Sequence, residues 1–132
     1  MMLSAWVEDV VARVRARIER GERVSLEDLL EEAPEVPRGR LLELIEDALM
    51  RADELKSEGV GISPGLSIHL STLKALVEEA EDYEEVRREA AAACFLALAI
   101  LDSSRGVGPD RLEPYLDELR AGVSRVAERV FS

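Results

Sequence analysis

The sequence predicts an all-α fold, a single helical bundle of five or six helices over residues 1–132. Three observations carry that expectation. Apolar side chains recur every three to four residues through almost the whole chain, and no segment alternates as a strand over four or more residues, apart from a pair around Val60 and Ile62. Glycine and proline gather between the periodic segments, at Gly21, from Pro34 to Pro37, from Gly59 to Gly65, and at Gly106, Gly108 and Pro109. The run from Ala90 to Leu101 is apolar around nearly its whole circumference. A helix of that kind must be covered on several sides.

The first helix is expected over about 4–20. Val7, Val11, Val14 and Ile18 form its buried stripe, widened by Trp6 and Val10, with Ser4 as N-cap and Gly21 as the stop. Ser25 followed by Asp28 has the spacing of a capping box, with Asp in place of Glu, and opens a brief helix that Pro34 should end. From about 38 to 58, Leu41, Ile45, Ala48, Ala52 and Leu55 recur at helical spacing, flanked by Leu42 and Leu49, until Gly59 ends the run. After the loop from Gly59 to Gly65, helix resumes near Leu66 with Leu66, Leu70, Leu73, Val77 and Ala80 on one face.

The acidic stretch from Glu78 to Glu85 reads as a corner near Asp82 and Tyr83. Beyond it lies the expected central apolar helix, about 86–103, whose alanines let neighbours approach while Phe95, Leu96, Leu98, Ile100 and Leu101 fill the space between them. Asp110 or Glu113 is the candidate cap of the last helix, with Pro114 in its first turn. In this helix Leu112, Leu116, Leu119, Val123, Val126 and Val130 follow spacings of 4, 3, 4, 3 and 4, a heptad-like seam. Such a seam packs along a neighbour, either in the same bundle or in a second subunit.

Length and composition bound the function. A chain of 132 residues is normally one domain with one core. At 47% hydrophobic and 34% charged residues it is too apolar to be disordered and too charged to be a membrane protein. The longest apolar run, twelve residues, falls short of the roughly 20 that span a bilayer. Glu8 and Asp9 replace the basic and apolar regions of a secretory signal, so a cytoplasmic location is expected. The chain contains neither asparagine nor glutamine, and fifteen arginines against two lysines. Loss of heat-labile amides beside abundant Glu and Arg is the composition of a thermophile.

The charge of −11 is unevenly spread. Residues 24–58 carry four basic against eleven acidic side chains, and residues 59–104 three against eight. A nucleic-acid backbone would be repelled there. Arg13, Arg15, Arg17, Arg20 and Arg23 supply a local positive patch, but alternate positions point around a helix, so these are expected on a solvated surface with Glu19 and Glu22 as partners.

The usual catalytic reagents are scarce. The single Cys94 sits in the most apolar stretch and is expected to behave as a small hydrophobe. Together with the single His69 it cannot build a zinc site. Leu66 stands three before His69, where a di-iron bundle requires Glu. Neither a nucleophile elbow nor a phosphate-cradling loop occurs. No metal or cofactor is therefore expected.

Two stretches resemble known families. Glu43-x-x-Glu46 and Glu79-x-x-Asp82 each put two acids on one helix face and look like the carboxylate pairs of the all-α nucleotide pyrophosphohydrolases. That likeness implies Mg²⁺-dependent cleavage of nucleoside triphosphates. Residues 24–33, a Pro-containing turn and the helix from Arg38 to Leu49 resemble a helix-turn-helix of the winged type, with the loop from Gly59 to Gly65 where a wing would stand. On that likeness residues 1–58 form a helix-turn-helix-like half and 66–132 a bundle half, and the function implied is a nucleic-acid-associated regulator. Its second helix presents Glu43, Glu46 and Asp47, with only Arg38 and Arg40 at its start, and there is no amide side chain to read adenine.

The expected function is thus a non-enzymatic helical protein–protein interaction module, a small subunit or adaptor whose partner is another protein or a second copy in a homodimer. The candidate contact surface is Trp6 with Leu116, Leu119, Val123, Val126 and Val130. Nucleic acid and membrane are not expected partners.

Overall fold

Helical periodicity becomes six helices in a computed structural model that describes residues 2–33 and 35–132, with side chains from Ala5 onward. They are α1 (Met2–Glu19), α2 (Leu26–Glu32), α3 (Arg38–Ser57), α4 (Pro64–Glu79), α5 (Tyr83–Ser103) and α6 (Pro109–Val130). No strand occurs among the described residues, and Val60 and Ile62 lie in a loop. The all-α expectation is borne out.

Local chemistry explains the ends. Gly21 and Gly59 adopt φ of +73° and +88°, a left-handed conformation open to glycine because it has no Cβ. Each closes a Schellman motif. The N–H groups of Glu22 and Gly21 reach back to the carbonyls of Arg17 and Ile18 at 2.9 and 3.0 Å, and those of Val60 and Gly59 to Leu55 and Lys56 at the same distances. Ser25 caps α2 by accepting from the N–H of Asp28 at 3.3 Å, as its spacing predicts.

Three expectations need correction, and one falls on a residue outside those described. Backbone helix begins at Met2, so Ser4 lies inside the first turn; its side chain is outside the described residues. Pro34, the expected stop of α2, is likewise outside them, and α2 ends at Glu32. Helix α4 starts at Pro64, with the Ser63 hydroxyl accepting from the N–H of Gly65 at 3.3 Å, which shortens the loop. Helix α6 starts at Pro109 after Gly108, not at a cap on Asp110 or Glu113. Proline at the first position gives up one N–H that would have had no partner, the Arg111 N–H reaches the Gly108 carbonyl at 3.1 Å with no side-chain cap bond, and Pro114 falls inside the helix.

Helix α5 occupies the centre, touching every other helix. Every residue from Ala90 to Leu101 is buried, and one continuous core includes residues of all six helices. The accessible surface of 7018 Å² matches the roughly 6,900 Å² that a compact monomer of 14.6 kDa exposes. Around α5 the helices α3, α4, α6 and α2 contact one another in that order. Helix α3 runs antiparallel to α4, with Lys56 beside Ser67 at one end and the Arg38 guanidinium on the Ala80 carbonyl, 2.6 Å, at the other. Helix α3 is parallel to α5. At their N-terminal ends the Tyr83 hydroxyl donates to the Val36 carbonyl at 2.5 Å, and Arg87 pairs with Glu35 at 2.8 Å. At their C-terminal ends Arg51 meets Asp102, and Arg105 meets Glu58, both at 2.6 Å. Burial pushes the Tyr83 hydroxyl up to about 12, which keeps it a donor.

Candidate interaction groove

Helices α1 and α3 both pack on α5, yet α1 and α3 make few contacts with each other. The ring of helices is open on this side. A groove runs along the opening as two adjoining clefts, of about 290 and 370 Å³, that share Arg15, Arg51 and Asp102. Val7, Val11, Leu44, Leu98, Leu55 and Leu101 form an apolar floor. Each of these is buried in the sense that core residues are, but Val7, Val11, Leu44, Leu55 and Leu98 keep 5–7% exposure where the groove opens.

The walls are polar stripes at helical spacing. Arg40, Leu44, Asp47, Arg51, Glu54 and Glu58 follow steps of 4, 3, 4, 3 and 4 along α3, and Glu8, Ala12 and Arg15 steps of 4 and 3 along α1. Each arginine of the walls meets a carboxylate of the protein: Arg15 with Glu19 at 3.0 Å, Arg40 with Glu43 at 3.1 Å, and Arg51 and Arg105 as above. Glu8, Asp47 and Glu54 have no ion pair among the described residues. The uncompensated charge of the groove is therefore negative.

The chain matches no protein-family model, no curated protein and no solved structure.

The residues singled out in the sequence fall elsewhere. Leu116, Leu119, Val123 and Val126 are buried and Val130 is half-buried, all within the chain's own core or packed against it. Helix α6 packs on α5, α4 and α2, so its seam is covered from inside. Trp6 is 54% exposed. It shares the flank of α1 that carries Arg13 and Arg17, which reach Glu32 and Asp28 of α2 at 3.7 and 3.6 Å, so it lies on the side of α1 away from the groove. The arginine series is a solvated surface in which Glu19 and Glu22 pair with Arg15 and Arg20.

The carboxylate pairs do not assemble. Among the described residues no group of three His, Cys, Asp or Glu side chains is arranged to hold a metal ion. Glu43 is held by Arg40, Glu46 by Lys74, and Glu79 and Asp82 lie exposed at the α4–α5 corner. The pairing with Glu46 raises the Lys74 pKa. The helix-turn-helix stretch forms α2 and the start of α3, but α2 packs on α5 and α6, and the loop before Pro64 has no wing strand. Arg38 is committed to Ala80 and to the Tyr83 ring, 5.4 Å away.

His69 is held below its usual range by partial burial and by Arg120. Burial pushes the Cys94 thiol up to about 12, so it stays protonated and unreactive at neutral pH. Among the described residues no helix is long and apolar enough to cross a membrane.

Sequence reasoning missed the groove. The wall spacings are visible in the chain, but an identical stripe arises on any solvated helix. Only the distance between α1 and α3 distinguishes the two.

Proposed function

We propose that the protein is a non-catalytic helical interaction module, cytoplasmic and adapted to high temperature, that docks a helix of a protein partner between α1 and α3. The observation that carries this reading is the open position in the ring of helices around α5, with an apolar floor of Val7, Val11, Leu44 and Leu98. An added helix lays apolar side chains at i, i+3, i+4 and i+7 into such a groove. Apolar surface left partly wet at the floor is then covered, which is favourable by about 25 cal/mol per Å². The chain charge of −11 supports a protein partner over nucleic acid, because carboxylates along α3 repel phosphate.

A photoreactive side chain placed at the exposed Ala12 of the groove wall tests the reading, with Ser124 on the outer face of α6 as control. In extract of the source cells, position 12 is expected to give a discrete covalent adduct that position 124 does not. Equal yields from both positions, or none from position 12, contradict it.

A further inference from the structure

We infer that the occupant of this groove is a basic amphipathic helix, one whose apolar stripe is flanked by lysine or arginine. The inference rests on the docking reading above and adds the chemistry of the partner. The walls hold four arginines, and each already meets a carboxylate of the chain at 2.6–3.1 Å. The carboxylates left over are Glu8 on the α1 wall and Asp47 and Glu54 on the α3 wall. Asp47 and Glu54 are seven residues apart and so lie on one edge of α3, two turns from each other.

That edge has the geometry of the flanking positions of a coiled coil, where charged side chains beside an apolar seam select partner and orientation. The α3 wall from Arg40 to Glu58 measures about 27 Å at 1.5 Å per residue, room for a partner segment of about five turns. An acidic helix would face three unpaired carboxylates. A neutral helix would leave them unanswered, and a basic one gives each a partner at the rim of an apolar contact. On the outward face of α3, Asp53 has no ion pair among the described residues while Glu43 and Glu46 are held by Arg40 and Lys74, and the chain's net charge of −11 attracts a basic segment at long range.

Two synthetic 21-residue peptides test the inference, both with leucine at the heptad core positions, one flanked by lysine and one by glutamate. Each is titrated into the full chain, with affinity read by fluorescence anisotropy and location by amide resonances of the isotope-labelled protein. The lysine peptide is expected to move resonances of residues 7–15, 40–58 and 98–105 and to bind at least about tenfold tighter than the glutamate peptide. Asp47→Lys with Glu54→Lys should reverse that order. Glu79→Lys with Asp82→Lys, at the remote α4–α5 corner, should leave it unchanged. Equal binding of both peptides in the groove overturns the basic partner and leaves the docking reading standing. Resonance changes confined to the α4–α5 corner, or no binding by either peptide, overturn both. A chain that is dimeric by light scattering, with groove resonances perturbed before any peptide is added, assigns the groove to a second copy and overturns the inference.

Discussion

Among the described residues Glu89 is the one carboxylate carried deep into the bundle. Its side chain is 10% exposed, and the Arg129 Nε lies 2.7 Å from its Oε2. That oxygen receives no well-angled hydrogen bond, so the contact is a close ion pair that leaves a buried oxygen poorly satisfied. Arg129, by contrast, is half exposed, and water screens its share of the attraction. The two ends of this pair should therefore respond differently to mutation. Arg129→Ala strands the buried charge and is expected to cost about 1–3 kcal/mol in urea unfolding. Glu89→Leu removes the charge with its desolvation cost and is expected to be neutral or stabilising. An equal loss in both variants would contradict this account of the site. Gly122 is a second residue whose identity follows from packing: a Cβ there would sit 3.1 Å from a methyl of Leu26, so the glycine lets α2 lie close against α6.

Elements were legible where one residue decides the local geometry. Gly21 and Gly59 stop helices because the chain needs a positive φ there, and Ser25 starts one because its hydroxyl satisfies a backbone N–H. The Asp82–Tyr83 corner was legible because an apolar run resumes after a solvated acidic one, and α5 begins at Tyr83. The start of α6 was not, because the helix opens at Pro109 with no side-chain cap bond and so leaves no capping residue to read, while Asp110 and Glu113 fall inside it. The α6 seam was legible as a seam, but its spacing is the same whether α5 or another subunit covers it. The identity of the covering element is a tertiary fact. Helix α5 itself needed no such help, since a segment apolar on all sides admits only a central position. Phe95, fully buried there, should be costly to truncate: Phe95→Ala is expected to lower unfolding free energy by about 3–5 kcal/mol through the cavity it leaves. Met50→Ala, at a position 60% exposed, should stay within about 0.5 kcal/mol. Denaturant midpoints of the two variants provide the check, and similar values would mean that α5 is not the organising element.

At the scale of the molecule, the charges join helices as well as solvating them. Arg13, Arg17, Arg51, Arg87, Arg125 and Arg129 each pair with an acid outside their own helix. Single exposed pairs of this kind contribute about 0–1 kcal/mol at room temperature, and their desolvation cost falls on heating, which fits the amide-free, arginine-rich composition. The composition made that surface legible from sequence. The groove was not, because it depends on how α1 and α3 sit beside each other on α5, which is a tertiary fact. Its apolar floor keeps 5–7% exposure at Val7, Val11, Leu44, Leu55 and Leu98, and the central claim is that a partner helix covers it. The most direct measurement is solution mass by size-exclusion chromatography with light scattering, on the chain alone and mixed with source-cell extract, for the natural protein and for Ala12→Trp, which fills the groove from its wall. The account predicts a monomer of 14.6 kDa alone, a larger complex with extract, and loss of that complex in the variant. A complex that survives Ala12→Trp, or a dimer that forms without extract and ignores the substitution, would contradict it.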